Sequence, residues 1–558
     1  MTIAYVLPLI GSSRWGSHGQ AVSERRRSRA SVLIRASAVD DKRTHGDFSL
    51  YNTMTGKKEV FDRTVHEDGV VRFYSCGPTV YDSAHVGNFR AFLTYDVLKR
   101  WLRYRGFDVS HVMNLTDVDD KIIKRVLREG STLEEITEKY SKLFFDDLSL
   151  LNVIPADKYP RATDHIEDIV DLIEGLKAKG AAYETSGSTY FKVDSFSDYG
   201  KLVKLEKRES GARRTEANDT DEYDKSDARD FALWKAYKDE DGEVKWNSAL
   251  GVGRPGWHIE CSCMAIKYLG PQIDIHGGGI DLVFPHHENE IAQSEAYSGK
   301  EFARFWVHNG FVNIGGEKMS KSLGNFRTLG DVVKKPDDAR AFRYLVVSSQ
   351  YRSTLNFTED VLKAARNTIK RLDSLRKRLA DVQKEERTVD MQASSEIESI
   401  VDTAKSAFVA AMNDDLNTPR AVAALFEMMS KVGKVLVSAP NMRNPRPGHA
   451  NWEFSVCQLL KAEKLDSAHA KMVDDCIVDF DRVLGVFYEV PTVGNVSDED
   501  GTDGGDQVIP EALQELLLQR TEARKSKDFS LADQIRDQIA AEGYQIKDSP
   551  NGAVLIKI

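Results

Sequence analysis

Several residue types are scarce in this chain. Proline numbers 15 in 558 residues and cysteine only 5. So little proline excludes a collagen-like or Pro-rich disordered chain, even with 38 glycines present. The cysteines, at 76, 261, 263, 457 and 476, are too few and too scattered for a disulfide framework. A reducing compartment is therefore the default, and each thiol must be read from its neighbours. No apolar run approaches the roughly 18 residues that a membrane span needs, so no membrane partner is expected. Positive charge is also short: 77 Lys and Arg stand against 87 Asp and Glu, a net charge of −10. A protein that merely coats nucleic acid should be basic overall, so only a local basic face is left open. What remains is an ordinary globular composition, 41% hydrophobic and 29% charged. At roughly 150 residues per domain, the length suggests about three to four domains.

The first 37 residues break the acidic pattern. They hold Arg14, Arg25, Arg26, Arg27, Arg29 and Arg35 but a single acid, Glu24, and they are rich in serine. An Arg-rich, Ser-rich, acid-poor leader matches an organellar transit peptide. A basic tail that touches RNA is the alternative. Residues 1–46 are read as this leader, and folded sequence is expected from about Phe48.

From Val71 the pattern is strand, turn, helix, strand. Val71–Ser75 reads as a strand and Phe107–Met113 as its neighbour. Between them lies a helix over Phe89–Tyr104, with Phe92, Tyr95, Leu98 and Leu102 on one face. Such a unit begins a parallel α/β sheet. The polar run 206–229 resembles an insertion. The sheet is expected to resume with a strand over 272–276, stopped by Gly277, Gly278 and Gly279, and with another over Trp306–Ile314. After Gly330 the pattern is helical almost to Tyr488. A Gly/Asp/Ser-rich linker spans 491–508. A last small unit is read as a helix pair over 510–543 and a terminal strand.

Two segments read as nucleotide-binding. His85-Val-Gly87-Asn88 opens a helix directly after a strand. A helix N-terminus presents free N–H groups and positive dipole to a phosphate. A simple helix-capping turn explains the same residues. The second segment, Gly315-Gly316-Glu-Lys318-Met-Ser-Lys321-Ser, places two lysines in a Gly-preceded loop. Such lysines can neutralise charge developing on departing pyrophosphate. Zinc-type ligands occur at Cys76, Cys261, His286 and Glu290, with His258, Cys263, His287 and Glu288 as rivals. On a helix, His286 and Glu290 share a face. Ligand type alone does not separate a metal site from buried inert cysteines.

Together the two nucleotide segments resemble the HIGH and KMSKS signatures of class I aminoacyl-tRNA synthetases, with Asn88 where the second histidine of HIGH usually stands. Longer stretches closely resemble the cysteinyl-tRNA synthetase family: Tyr74–Asp82, Asn114–Lys124, Gly253–Cys261, Asp274–Ser294 and Lys318–Asn325. The resemblance covers roughly 48–490 and extends to the last fifty residues. It implies an α/β fold with a Rossmann-like parallel-sheet catalytic domain and an insertion. A helical anticodon-binding bundle and a small C-terminal α+β unit would follow. The implied boundaries are 47–160 and 251–330 for the catalytic halves, 161–250 for the insertion and 331–400 for a stem-contacting helical region. The bundle would span 401–490, and a tRNA-binding unit 509–558.

The family further implies one Zn²⁺ held by Cys76, Cys261, His286 and Glu290, with the substrate thiol binding the metal. Zinc prefers soft thiolate over hydroxyl. Ordinary pocket contacts separate near-isosteres by only about 1–3 kcal/mol, so a metal would remove the need for an editing domain. Cys76, Thr116, Trp257 and Asp281 would contact L-cysteine, with plain core as the alternative for Trp257. ATP with Mg²⁺ would lie against His85, Gly87, Asn88, His276, Gly277, Gly278, Gly279 and Lys321. His85, Asn88, Lys318 and Lys321 would stabilise the transition state. The partner would be tRNA(Cys), with a monomer as the default state. Arg340, Arg343, Arg352, Arg366, Lys370, Arg371, Arg376, Lys377 and Arg378 are candidates to track its phosphates. Lys525, Lys527 and Arg536, with Phe529 and Tyr544, are candidates near the anticodon. Two other functions stay open. One is a ligase joining activated cysteine to a small amine; the other is a non-catalytic synthetase-like RNA-binding protein.

Overall fold

The computed structural model describes residues 46–205, 230–319, 324–384, 391–435 and 466–490. Beyond these it describes 516, 519–520, 523, 529–541, 544–549 and 552–557. The leader, the polar run 206–229, the linker, and Lys321, Cys457, Lys525 and Lys527 lie outside the described residues. Two compact units divide the chain after Val493.

The first unit opens with a hairpin, β1 (Ser49–Asn52) and β2 (Lys57–Val60). Next come β3 (Val70–Ser75), α1 (Val86–Tyr104) and β4 (Asp108–Met113). Three helices follow: α2 (Asp120–Glu129), α3 (Leu133–Leu150) and α4 (Ile166–Ala178). An inserted antiparallel sheet is built from β5 (Ala182–Thr185), β6 (Ser188–Phe191), β7 (Phe231–Ala236), β8 (Trp246–Ser248) and β9 (Gly251–Pro255). Its order is β5-β6-β7-β9-β8, so its last strand runs a few residues past the expected boundary at 250.

The main sheet then resumes: α5 (Trp257–Leu269), β10 (Ile273–Gly279), α6 (His286–Ser298) and β11 (Ala303–Asn309). Its order is β11-β10-β3-β4, all parallel. The first strand–helix–strand unit winds outward from β3 to β4, and the second from β10 to β11. The strand order therefore reverses between β3 and β10. In open α/β sheets, ligands bind outside the carboxyl ends of the strands at such a switch point.

Three expectations need correction here. The glycines at 277–279 do not stop β10; they are part of it. A Cβ on Gly277 would sit 3.0 Å from Tyr95 and 3.2 Å from Phe73, and one on Gly278 only 2.2 Å from His287. Side chains thus press on both faces of the strand: a Cβ at 278 would clash with the His287 ring, and one at 277 would crowd Tyr95 and Phe73. The expected strand 306–314 is two: β11 ends at Asn309, and β12 (Val312–Ile314) belongs to another sheet. There it pairs with the short β13 (Glu317–Lys318). The break is at Gly310, where a Cβ would meet the carbonyls of Arg352 and Ser353 at 2.7 and 2.6 Å.

The helical part contains α7 (Pro336–Val347), α8 (Glu359–Val382), α9 (Met391–Asn413), α10 (Thr418–Val435) and α11 (Ser467–Leu484). Between α7 and α8 lies β14 (Leu355–Phe357), an unexpected strand parallel to β12. The third correction concerns the basic residues here. Arg343 is fully buried, donating to Asp96 and to the carbonyls of Leu151, Asn152 and Leu484. Arg340 is bidentate to Asp373, Arg352 pairs with Asp415, Arg366 with Asp338 and Arg376 with Asp474. Burial removes Arg343 from the phosphate track, and the other four tie helices and the loops between them together. Lys370, Arg371, Lys377 and Arg378 on α8 are exposed, as an RNA-facing track requires.

The second unit contains α12 (Phe529–Ala541) and a hairpin of β15 (Tyr544–Ser549) and β16 (Gly552–Lys557). The expected terminal strand is thus half of a hairpin. Ile535 and Ile539 on α12 form its core with Leu516 and Ile546. Arg536 pairs with Asp533 on the same helix.

Candidate functional site

Cys76 follows the last residue of β3, at the switch point. Its backbone N–H donates to Gly277 O at 3.1 Å, which ties the ends of β3 and β10 together. The next N–H, of Gly77, donates to Asn114 Oδ1 at 2.9 Å. A Cβ on Gly77 would fall 1.8 Å from Asn114 O, so glycine alone permits this approach. Asn114 Nδ2 also donates to Thr116 Oγ1 at 3.1 Å, holding the buried Thr116 beside the turn.

The other donors come from the two helices packed on that side of the sheet. Cys261 is one turn into α5; His286 opens α6, with Glu290 one turn on. The donor atoms of Cys76, Cys261, His286 and Glu290 all lie within 4.8 Å of one another, and all four residues are buried. His286 Nε2 is 3.1 Å from Glu290 Oε1, while its Nδ1 lies 3.0 Å from His258 Nδ1. Burial opposes a Cys261 thiolate, yet its hydrogen bonds with Cys76 and His286 hold its pKa at about 6. Burial drives the Cys76 thiol well above its ordinary value. Two thiols, an imidazole and a carboxylate, close together and away from water, are a donor set that fits zinc.

The rival ligands fall differently. Glu288 accepts from the backbone N–H groups of Gly200, Leu202 and Val203, so its oxygens are committed. Cys263 packs in the apolar cluster around α4 and the inserted sheet, with burial pushing its pKa up to about 12. His287 does join the cleft: its Nε2 is 3.3 Å from Cys76 Sγ and its Nδ1 is 2.8 Å from His308 Nε2. His308 in turn reaches Thr53 Oγ1 at 2.8 Å. Burial, and then the neighbouring imidazoles, hold His287 far below its usual pKa; burial brings His308 to about 3. Both rings are therefore neutral, the form able to ligate.

His276 was expected to face ATP. Its side chain instead points to the metal cluster, with Nε2 2.8 Å from Glu290 Oε2 and the ring stacked on Trp306. The reason is strand alternation. Gly277 lies against α1, so its neighbour His276 faces the opposite side. Its backbone alone remains on the strand end. Trp257 is not core: it is half-buried and stacks on His286, with ring centroids 4.3 Å apart. Asp281 is exposed just past β10, its carboxylate folded over Gly279.

His85 caps α1. Its Nδ1 accepts from Asn88 N–H at 3.2 Å, and Asn88 Oδ1 accepts from His85 N–H at 3.1 Å. The capping reading is what the structure shows, and the fixed cap orients the ring beside the helix N-terminus. The described residues on either side of the second lysine lie against this terminus: Val86 N donates to Arg327 O, and a Cβ on Gly87 would be 3.3 Å from Met319. Lys318 is exposed, with Nζ 4.5 Å from the centroid of the Phe311 ring.

A parallel sheet with a switch point, a His-capped helix and an adjoining lysine segment fit the class I aminoacyl-tRNA synthetases, and comparison with known proteins places the chain among them. A family model described as tRNA synthetases class I (C) catalytic domain matches residues 60–367. A DALR domain matches 407–488, and a Cysteinyl-tRNA ligase anticodon binding domain matches 506–553. The Cysteine–tRNA ligase of Solibacter usitatus (strain Ellin6076) is 43% identical over 503 residues, 90% of this chain and 98% of that protein. That of Thermococcus onnurineus (strain NA1) is 42% identical over 515 residues, 91% and 99% of the two chains. The fold is shared with Mycobacterium tuberculosis methionyl-tRNA synthetase in complex with methionyl-adenylate, at TM-score 0.54 and 15% identity. That likeness covers 75% of this chain and 92% of the other. The chain belongs to the cysteinyl-tRNA synthetases, and its activity is the attachment of cysteine to tRNA.

Proposed function

We propose that this synthetase selects cysteine through one Zn²⁺ held by Cys76, Cys261, His286 and Glu290. The convergence of these four buried donors at the carboxyl ends of β3 and β10 carries the reading. When bound, zinc supplies a soft Lewis acid that takes thiolate in preference to hydroxyl. Thr116 and Trp257 wall the pocket, and the Asp281 carboxylate receives the substrate ammonium through a charge-assisted hydrogen bond. ATP with Mg²⁺ lies along the glycine backbone of 277–279, its phosphates at the α1 N-terminus beside His85, Gly87 and Asn88. The cysteine carboxylate attacks the α-phosphorus, giving cysteinyl-adenylate and pyrophosphate, and the tRNA terminal ribose then accepts the cysteinyl group. His85, Asn88, Lys318 and Lys321 stabilise charge in the first step, so catalysis is chiefly positioning. Elemental analysis of the purified, dialysed chain should give about one zinc per chain. Metal-free protein with full cysteine-dependent activity would exclude the reading.

The matching helical and anticodon-binding modules favour tRNA over a small amine as acceptor. We further propose a monomer, 331–400 as the stem-contacting region with Lys370, Arg371, Lys377 and Arg378 on its track, and an organellar address in residues 1–46. Fused to a fluorescent reporter, residues 1–46 should direct it to plastids or mitochondria; diffuse cytosolic signal would refute the address.

A further inference from the structure

Two four-donor sets share the metal cleft. Besides Cys76, Cys261, His286 and Glu290, the donor atoms of Cys76, His276, His287 and Glu290 also lie within 4.8 Å of one another, all buried. We infer that the second set takes a second divalent ion when zinc is in excess, with Cys76 and Glu290 bridging the two metals, and that this ion is inhibitory. The inference rests on the first set being a zinc site.

Glu290 turns its two oxygens toward different imidazoles, with Oε1 also 3.8 Å from Cys76 Sγ and 3.9 Å from His287 Nε2. Oε1 lies 3.1 Å from His286 Nε2, and Oε2 lies 2.8 Å from His276 Nε2. A carboxylate facing two imidazoles with separate oxygens has the disposition of a bridging ligand. Cys76 Sγ is 3.3 Å from His287 Nε2, and a thiolate sulfur has lone pairs for two metals. Tetrahedral zinc, with bonds of about 2.0–2.3 Å, holds its ligand atoms roughly 3.3–3.8 Å apart. The Cys76–His287 gap already suits it, and the His276–Glu290 gap needs to open by about half an ångström.

The two rings are also held in place. His276 stacks on Trp306 with centroids 4.5 Å apart and planes at 16°. His287 is fixed through His308 to Thr53, the kind of outer partner that ligating imidazoles keep. At low zinc the same two histidines are hydrogen-bond partners of Glu290 and Cys76. The second ion binds more weakly, because its bridging ligands have already given electron density to the first metal and the two dications repel. Sharing those ligands alters the first metal, and the KM for cysteine rises.

The test titrates zinc into the full-length protein, reading bound metal by elemental analysis, metal–metal distance by zinc-edge X-ray absorption, and cysteine KM. Binding should plateau at one zinc per chain and then rise to two. The second step should bring a Zn–Zn feature at about 3.5–4 Å, as in other two-metal sites, and a higher KM. In His276→Gln and in His287→Gln, with folding checked by circular dichroism, the second step and the Zn–Zn feature should vanish while the first zinc still binds, its affinity lowered by about 10–100-fold through the lost outer partner. A plateau that stays at one zinc overturns the inference and leaves the single-zinc reading standing; a chain that binds no zinc ends both. A second zinc that persists in both variants lies elsewhere and also overturns it.

Discussion

Cys261→Ser should lose the metal and keep the fold. The side chain is buried on α5 with its sulfur in the four-donor cluster, and serine is nearly isosteric, so packing around α5 changes little. The chemistry changes much more. Cys261 is the thiol whose neighbours hold its pKa near 6, so it reaches the thiolate form readily; a serine hydroxyl does not. Loss of an outer partner of a zinc ligand costs about 10–100-fold in affinity, and loss of the ligand itself should exceed about 100-fold. The measurable outcome is loss of bound zinc and a cysteine KM raised by a similar factor, with an unchanged circular dichroism spectrum. If the variant holds stoichiometric zinc and normal cysteine affinity, Cys261 is not a ligand.

Arg343→Met should have the largest effect on stability. Asp96, at the middle of α1, accepts from Arg343 Nη2 at 2.5 Å, from Arg100 Nε at 2.8 Å and from Ile154 N–H at 2.8 Å. Arg343 also satisfies the carbonyls of Leu151, Asn152 and Leu484, so one guanidinium joins α1, the end of α3, α7 and the end of α11. Methionine fills much of the volume but leaves buried carbonyls unpaired and Asp96 with one arginine. Removing one partner of a buried pair costs about 3–5 kcal/mol. A thermal midpoint lower by roughly 3–5 °C is expected; one within about 1 °C of the parent would show that the joint carries no load. Gly485 belongs to the same joint. It ends α11 at φ 64°, and a Cβ there would lie 2.5 Å from Arg343 Nη2.

These two positions differ in how well the sequence announces them. Cys261 stands in a long motif stretch with its ligand chemistry on display, yet nothing local says that it meets Cys76, far away in the chain. The meeting depends on the β3–β10 switch point and on the packing of α5 against α6. Arg343 reads as one basic residue among many on helical sequence, and only burial separates it from Lys370 or Lys377. Local runs made the parallel strands and α1 legible. The glycines of β10 misled because a gap in side chains looks like a stop, whereas here it makes room for Tyr95, Phe73 and His287. β14 was invisible because three residues paired only to β12 leave no period to read. His308 could have been found: it shares a face of β11 with Trp306, two residues before it.

Cysteine-dependent pyrophosphate exchange, run in parallel with serine, tests the central claim most directly. The zinc-loaded protein should exchange label rapidly with cysteine and, with serine, far more weakly than the roughly 10–200-fold that ordinary pocket contacts distinguish. Exchange with the two amino acids at comparable kcat/KM, or none with cysteine, would contradict the account.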